Sequence, residues 1–494
     1  MNLMTKYKIK FREYFLLLLP VFFVLHGYTQ NYPLIDTKDV FELLFTYVVV
    51  FVALSFVFMF LLKSWRKATV FVLLIMCFHF FFGNMHNGLK WLVHDSFLSK
   101  YVFVLPFSLI FFIGAFIYLR KTKKEFRRII LYCNTLLIIL VAFDIFQLAV
   151  KFGKTEKRSI APAQNISNCA SCEKPDIYFI IADEYAGDKE LKDIFHFDNS
   201  AFENQLQQRD FFINDSSISN YNFTTHSLAS ILSMNYLSNI EGRNQSQKDR
   251  NICHQLINQN QTVDLLKIQG YAIKNLSVFM FNNELPLGYS SIILNSRRLL
   301  TNQTFLSRLD NEIRFNLVAT YKIESEMRRF GDMQLDDINK LLSETKSETS
   351  SKNNQPKFVY THLMMPHYPY LLDSNGNKTK PEMVLEGMQE KQKDYISYLQ
   401  YGNKRLLELV DFILKNSPKP PVIVLMGDHG FRHFTTAVPH EYYFRNFNAV
   451  YLPSKNYSRF YKGASGVNQL RILFNSVFDQ HLPMLKDSMV FIRD

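Results

Sequence analysis

The sequence predicts a chain in two parts: an N-terminal bundle of five transmembrane helices, followed by an α/β domain with a mostly parallel central sheet. Hydrophobic residues make up 48% of the 494 residues, with 47 Phe among them, and the long apolar runs are confined to the first 152 residues. From residue 175 onward, short β-branched strands alternate with helical patterns at about 187–208, 250–268, 306–346 and 384–415. This alternation is typical of a sheet covered by helices on both faces.

The N-terminal part, residues 1–152, contains five apolar runs that approach or reach the ~20 residues needed to cross a bilayer. They lie at about 14–28, 40–62, 68–83, 101–119 and 129–150. The first and third runs are short and need their flanking residues to span. A cleaved signal peptide is a weaker interpretation of the first run, because no small-residue cleavage site follows it and four more runs come after it.

The positive charge is concentrated in the membrane part. Residues 1–152 hold 17 Lys and Arg against 7 Asp and Glu, whereas the remaining residues hold 39 against 37. Thirteen basic residues lie before the first run, after the second or after the fourth, and only Lys38, Lys90 and Lys100 lie in the alternate loops. This positive-inside pattern argues against a nucleic-acid partner. With five spans, it predicts a multi-pass membrane protein that has a cytoplasmic N-terminus and an extracytoplasmic domain at 175–494.

A polar linker at about 153–174 joins the two parts and contains Cys169 and Cys172 in a C-x-x-C spacing. A lone pair of this kind lacks the second pair that a zinc knuckle needs, and no thioredoxin-like unit surrounds it. In an oxidising compartment we expect a local disulfide, or an exchange with Cys253.

Two apolar strands end in polar residues that could share a metal ion. The run at 175–182, PDIYFIIA, leads into Asp183, and the run at 421–426, PVIVLM, is followed closely by Asp428 and His429. In open α/β sheets, ligand sites form outside the carboxyl ends of the strands. Carboxylates and an imidazole at two such ends could converge on one cation if the strands are neighbours.

The stretch at 221–234, YNFTTHSLASILSM, predicts a helix that begins near Thr224 or Thr225. A Thr at a helix start is a good N-cap, which is the simplest explanation of these hydroxyls. A hydroxyl bound to a divalent cation can instead become a nucleophile, because the cation lowers its pKa. The helix N-terminus can then receive the phosphate that the hydroxyl attacks.

Asp183 is followed along the chain by four motifs: TTHSLAS from Thr224, HLMMPHYP at 362–369, GDHG at 427–430 and NFNAVYLP at 446–453. Their order resembles that of the sulfatase branch of the alkaline phosphatase superfamily. With five spans ahead of such a domain, the chain resembles more closely the membrane-anchored lipoteichoic-acid synthases and phosphoethanolamine transferases. The resemblance implies a sulfatase-like catalytic domain.

The resemblance implies that Asp183, Asp428 and His429 hold one divalent metal ion, which would be Mn, Zn or Mg. It also implies that Thr224 completes the ligand set and is the nucleophile. Relatives place that hydroxyl three residues before the Ser of an S-L-A-S helix start, which favours Thr224 over Thr225.

His367, in the Pro-His-Tyr-Pro turn, would face the bound phosphate, where it could stabilise charge or protonate the leaving group. His362, His433 and His440 are secondary candidates, with an ordinary surface or capping role as the alternative. Two-zinc phosphatases need an additional Asp/His set, to which these three and His367 could contribute, but no clear D-x-x-x-H pair stands out.

Two departures from the pattern matter. Arylsulfatases need a C/S-x-P-x-R motif, and none lies near Thr224, so sulfate ester hydrolysis is disfavoured. Lipoteichoic-acid synthases tend to carry Glu where Asp183 stands, and Glu184 is its neighbour, so the sequence leaves open which of the two carboxylates binds the metal.

These features together predict a membrane-bound, metal-dependent transferase. It would move a phospho-headgroup, phosphoglycerol or phosphoethanolamine, from a phospholipid to a glycan or lipid acceptor through a phospho-threonine intermediate. A membrane-anchored phosphodiesterase or phosphatase is the first alternative, and a non-catalytic membrane sensor or scaffold is the second. The sequence leaves the oligomeric state open.

Overall fold

The computed structural model describes residues 13–32, 35, 37–94, 96–153, 166–237, 240, 246–287, 298–351, 355–385, 392–434 and 436–493. The chain forms two compact units: Met1–Lys157 with Ser291–Tyr321, and Arg158–Ser290 with Lys322–Asp494. The basic residues that precede the first apolar run, and residues 154–165 of the predicted linker, lie outside the described residues.

The first unit contains five N-terminal helices: α1 (Phe15–Asn31), α2 (Thr37–Leu62), α3 (Trp65–Val93), α4 (Tyr101–Lys121) and α5 (Arg127–Gly153). Four of them, α2 to α5, are long and apolar enough to cross a membrane. Helix α1 has 17 residues, which corresponds to ~26 Å, less than the ~30 Å of a hydrocarbon core. The described residues therefore support four spans, and the predicted fifth span is not confirmed.

Helix α1 is nevertheless part of this bundle. Its His26 lies 3.0 Å from Asp144 of α5, whose side chain is buried. The backbone N–H of Phe15 donates to the side chain of Asn134, also on α5, at 2.8 Å. Polar contacts within an apolar bundle fix the register of the helices, because each leaves a buried group unsatisfied if it is lost.

The first unit also receives a segment from far along the chain, which the sequence analysis did not predict. This segment contains the helices Arg298–Thr301, Phe305–Arg308 and Arg314–Tyr321, with a π-helical turn at Leu309–Ile313. The backbone N–H of Gly83 on α3 donates to the carbonyl of Gln303 at 2.8 Å. The Phe305 ring packs against Phe78 and Phe82, each with centroids 5.1 Å apart.

The predicted helix at 306–346 is therefore two helices in different units. The chain breaks at Lys322, which adopts the left-handed conformation at φ 49°. A new helix then begins at Glu324. No Gly or Pro marks this break, which is why a periodicity argument missed it.

The second unit is an α/β domain around a six-stranded sheet. Its strands are β1 (Ile177–Ala182), β2 (Phe212–Ile213), β3 (Ala272–Leu276), β4 (Lys357–Leu363), β5 (Val422–Met426) and β6 (Asn448–Tyr451). Its main helices are α6 (Asp188–Asp193), α7 (Ser200–Gln207), α8 (Thr224–Ser233), α9 (Gln247–Asn258), α10 (Gln261–Ile268), α11 (Glu324–Ser350), α12 (Gln392–Asn416) and α13 (Gly466–Val477). Short 3-10 turns lie at Pro381–Val384 and His440–Phe444, and another, Phe97–Ser99, lies in the first unit.

The described sheet is mixed, with the order β2-β6-β5-β1-β4-β3. Strands β3, β4, β1 and β5 pair in parallel, whereas β6 is antiparallel to both β5 and β2. The mostly parallel sheet predicted from sequence therefore describes the strands around β1, and it does not describe the antiparallel pairings of β6 with β5 and β2. Every residue of β1 and β5 is buried, as expected for strands covered on both faces.

Helix α8 packs on the sheet face where Phe179, Ile181 and Val424 lie. Its apolar residues Leu228, Ile231 and Leu232 join the same buried cluster. This packing fixes the start of α8 close to the carboxyl ends of β1 and β5.

Candidate active site

The parallel pairing of β1 with β5 aligns the two polar strand ends. In this register Ile181 lies opposite Met426, so Asp183 and Asp428 each follow two residues later. Both side chains are buried. The backbone N–H of Glu184 donates to Asp428 Oδ1 at 2.9 Å, which joins the two strand-end loops.

Gly427 allows this close approach. A Cβ added there would lie 2.5 Å from the Tyr185 carbonyl oxygen, a distance that backbone atoms cannot accommodate. The N–H of Gly427 donates to the Phe447 carbonyl at 2.9 Å. The first glycine of the GDHG motif is therefore required by packing, because a larger residue would not fit where the two loops meet.

His429 presents its Nε2 atom to the site. Its Nδ1 lies 2.7 Å from the Gly430 carbonyl, which can only accept, so Nδ1 carries the proton. Nε2 is then a free lone pair, 3.2 Å from Asp428 Oδ2 and 3.1 Å from Thr224 Oγ1. A hydrogen bond at Nδ1 is the usual way in which proteins orient a metal-binding imidazole.

Asp183, Asp428 and His429 each offer a ligand atom, and these atoms all lie within 4.8 Å of one another. Asp183 Oδ1 and Asp428 Oδ2 are buried and accept no hydrogen bond from the described residues. Buried carboxylate oxygens without donors are costly unless a cation binds them. Two carboxylates and one imidazole are a donor set that suits a divalent transition metal, so these residues fit the metal predicted from sequence.

The electrostatics of the two carboxylates lead to the same interpretation. Burial would raise the pKa of Asp183, but the imidazoles of His367 and His362 outweigh it and lower that pKa. Burial and the neighbouring Asp183 carboxylate raise the pKa of Asp428. The two buried carboxylates therefore repel each other, and a cation between them would relieve that repulsion.

Thr224 is the first residue of α8, and its hydroxyl points to the ligand group, 3.1 Å from His429 Nε2. It is not the N-cap, which is Phe223 with φ −128°. Thr225 Oγ1 instead lies 3.3 Å from His226 Nδ1. The structure therefore brings Thr224, and not Thr225, next to His429.

One turn later, Ser227 fixes the helix to the ligand loop, because its buried hydroxyl donates to the Asp428 carbonyl at 2.6 Å. His362, a secondary candidate from sequence, lies on β4 beside β1. Its Nε2 is 3.0 Å from Asp183 Oδ2 in a buried contact, so His362 orients the carboxylate. His440, also a secondary candidate, stacks on Phe491 with centroids 3.9 Å apart.

A second group of possible metal ligands consists of Glu184, His367 and His433, whose ligand atoms also lie within 4.8 Å of one another. Glu184 Oε2 and His433 Nε2 are buried without a hydrogen-bond partner among the described residues. The structure thus places Asp183 in the first group and Glu184 in the second. From sequence, one metal ion is predicted, and the grouping of His367 and His433 with Glu184 is not. The sequence signal that could have indicated it is the His429-x-x-x-His433 spacing, together with an acidic residue directly after Asp183.

The two histidines of the second group have different charge preferences. Burial alone would lower the pKa of His367, but the carboxylates of Asp183 and Glu184 outweigh it and raise that pKa. Burial lowers the pKa of His433, and the Glu184 carboxylate opposes this only in part. His367 is therefore the better proton donor, and His433 the better neutral ligand.

No protein family and no curated protein match the sequence. Solved structures of similar fold include the C-terminal periplasmic domain of EcEptC from Escherichia coli in complex with Zn, at 11% identity, covering 63% of this chain and 84% of that chain with a TM-score of 0.39. Another is the C-terminal periplasmic domain of phosphoethanolamine transferase EptC from Campylobacter jejuni, at 14% identity, covering 63% and 92% with a TM-score of 0.35. A third is a protein in the alkaline phosphatase superfamily from Vibrio parahaemolyticus, at 12% identity, covering 62% and 67% with a TM-score of 0.35.

These structures belong to the group that the sequence motifs resemble.

Proposed function

We propose that this protein is a membrane-bound, metal-dependent transferase that moves a phospho-headgroup from a phospholipid to a glycan or lipid acceptor. The headgroup would be phosphoglycerol or phosphoethanolamine, and the intermediate a phospho-threonine at residue 224. The observation that carries the proposal is the Thr224 hydroxyl, 3.1 Å from His429 Nε2 at the edge of a buried group of two carboxylates and an imidazole. A hydroxyl with an N-capping role alone would not need these neighbours.

Asp183, Asp428 and His429 would hold a divalent cation with Thr224. When bound, that cation would supply the positive charge that lowers the pKa of a hydroxyl and stabilises phosphate oxygens. The start of α8 adds unpaired backbone N–H groups, which favour an anion beside the hydroxyl. Glu184, His367 and His433 would bind on the other side of the phosphate through hydrogen bonds. His367 Nδ1 faces the Tyr368 carbonyl, so its Nε2 would carry the proton for the leaving group.

The reaction then has two displacements. The Thr224 oxygen, its proton lost to solvent, attacks phosphorus, and the bond from phosphorus to the diacylglycerol oxygen breaks as His367 donates a proton to that oxygen. In the second step an acceptor hydroxyl attacks the phospho-threonine, its proton passes to His367, and the Thr224 oxygen leaves and regains a proton from solvent. Two displacements at one phosphorus divide a difficult transfer into two easier steps.

The membrane part supports a lipid donor. Four helices of the first unit are apolar enough to cross a bilayer, which would keep the enzyme at the surface where phospholipid headgroups lie. Cys169 and Cys172 form a disulfide, as expected for an extracytoplasmic location. With the positive-inside pattern, this supports a cytoplasmic N-terminus and a catalytic unit outside a bacterial-type inner membrane. That arrangement needs an odd number of crossings, so α1 with its flanking residues would be the fifth span.

A phosphodiesterase is a second candidate, favoured by one observation. The His433 side chain is 35% exposed although its Nε2 atom is buried, so the outer edge of the second ligand group borders on solvent. Water in place of the acceptor hydroxyl would complete the same two steps as hydrolysis.

The test uses the full chain in nanodiscs with phospholipids labelled in the headgroup. We expect diacylglycerol release that stops with a chelator and returns with Mn²⁺ or Zn²⁺, and a phosphorylated Thr224 peptide when the acceptor is withheld. Label transferred to an added glycan or lipid identifies a transferase, and free headgroup phosphate identifies a hydrolase. Metal binding without any diacylglycerol or phospho-threonine would contradict both and favour a non-catalytic role.

A further inference from the structure

Glu190 is a buried acid that belongs to neither ligand group. It lies on α6, in the segment that follows β1, and its side chain is fully buried. Burial raises the pKa of its carboxyl well above the usual value, the Phe431 N–H opposes this and the Glu184 carboxylate adds to it. Among the described residues, no cationic side chain forms a salt bridge with it. A buried acid without a cationic partner is costly to retain, which calls for an explanation in the contacts that it makes.

Those contacts are with the loop that follows β5. The N–H of Phe431 lies 3.1 Å from Glu190 Oε1 and 3.3 Å from Oε2, so both oxygens are within reach of one donor. The preceding residue, Gly430, packs directly on the carboxylate, because a Cβ there would lie 2.6 Å from Oε2. The loop thus passes over Glu190 at van der Waals distance.

The next backbone amide makes a similar contact. The N–H of Arg432 donates to Glu184 Oε1 at 2.9 Å. Two consecutive amides of the β5 loop therefore donate to two buried carboxylates of the segment after β1. Since one ligand of the first group comes from the β1 side and two from the β5 side, these bonds set the distance between the ligands.

We propose that Glu190 is a positioning residue: its acceptor on the Phe431 amide fixes the spacing between Asp183 on one loop and Asp428 with His429 on the other. The effect on turnover rests on the proposed function, whereas the effect on metal binding does not. A displacement of ~1 Å at such a site is enough to reduce activity severely.

The experiment compares Glu190→Gln with Glu190→Leu in the full chain in detergent. The two side chains have similar volumes, and only Gln keeps an acceptor oxygen. We expect Glu190→Gln to bind Zn²⁺ or Mn²⁺ as the wild type does. We expect Glu190→Leu to bind ~10-fold to 100-fold more weakly, the usual effect of removing a group that supports metal ligands. Its kcat should fall while KM for the lipid donor is kept, and its Phe431 amide should exchange hydrogen faster.

Either of two results would overturn the proposal: Glu190→Leu equal to the wild type in metal affinity and amide exchange, or Glu190→Gln as impaired as Glu190→Leu. If Glu190→Leu does not fold, Glu190→Asp is used instead. Its shorter side chain holds the carboxylate one methylene further from the Phe431 amide, so we expect the same weaker metal binding and faster amide exchange. A wild type that binds metal in a Glu190-dependent way but turns over no lipid would contradict only the proposed function. An active wild type with an unaffected Glu190→Leu variant would contradict only the positioning role.

Discussion

Replacing Thr224 by Ala separates a nucleophile from a structural hydroxyl. The Thr224 hydroxyl makes one hydrogen bond, to His429 Nε2 at 3.1 Å, and such a bond contributes ~0.5–1.5 kcal/mol net. No capping energy is lost, because the N-cap residue is Phe223 and makes no side-chain cap bond. Ala also gains a few tenths of a kcal/mol in helix propensity. The metal-free variant should therefore unfold within ~1 kcal/mol of the wild type, a shift of at most ~2 °C for a unit of this size.

The effect on turnover should be far larger. If the hydroxyl is the nucleophile, its removal lowers kcat by ~10³-fold or more, since no other group forms the covalent intermediate. Turnover is measured as diacylglycerol release from labelled phospholipid, and unfolding by calorimetry of the chelator-treated protein. Thr224→Ser should retain measurable turnover, because it keeps a hydroxyl.

Thr225→Ala is the matched control, because it makes the same chemical change at the next position of the helix. Its hydroxyl lies beside His226 and not beside the ligand group, so turnover should stay close to that of the wild type. The reasoning is refuted if Thr224→Ala keeps its turnover, or if Thr225→Ala is the variant that loses it.

Three further predictions follow from individual contacts. Ser227→Ala leaves the buried carbonyl of Asp428 without its 2.6 Å donor, so we expect a loss of ~1–3 kcal/mol in the free energy of unfolding and a lower kcat; an unchanged melting temperature would contradict this. Burial, with the Asp188 carboxylate, raises the pKa of Glu203 to about 7, so the folded protein loses stability as pH rises from ~4.5 to about 7. Glu203→Gln should therefore stabilise the protein by ~1 kcal/mol at pH 8, allowing for solvent screening, and by less at pH 5. Thermal unfolding at the two pH values measures this difference. His367→Gln should lower kcat for phospholipid by ~10²-fold to 10⁴-fold, but lower it much less for a p-nitrophenyl phosphodiester, whose leaving group needs no proton; equal losses on both substrates would exclude a general-acid role.

The strand ends were predictable from sequence because the signal is local and repeated. Two apolar runs of strand length each lead into acidic residues, and parallel strands carry such residues to one edge of a sheet. The structure confirms that β1 and β5 are neighbours. The proximity of Asp183, Asp428 and His429 follows from that pairing, whereas their roles stay predictions.

Other features were not predictable, because their signal is not local. Strand β6, which pairs antiparallel with both of its neighbours, has the same apolar character as the parallel strands of the sheet, so composition does not reveal its direction. The return of residues 298–321 to the membrane helices rests on contacts such as Gly83 with Gln303, more than two hundred residues apart in sequence. Periodicity describes one helix at a time and carries no information about which unit receives it.

Glu184 shows why the choice between two neighbouring carboxylates could not be made from sequence. It adopts the left-handed conformation at φ 60°, which for a residue with a side chain costs ~1 kcal/mol or more and persists only when its surroundings hold it. Its N–H donates to Asp428 Oδ1, and the Tyr395 hydroxyl donates to its carbonyl at 2.8 Å. Because of this bend, two consecutive side chains point to different ligand groups. Asp183 lies in the group with Asp428, and Glu184 lies in the group with His367. Strain at this position therefore lets one strand end serve two groups, and a phosphate between them would be contacted from both sides by residues that are neighbours in the chain.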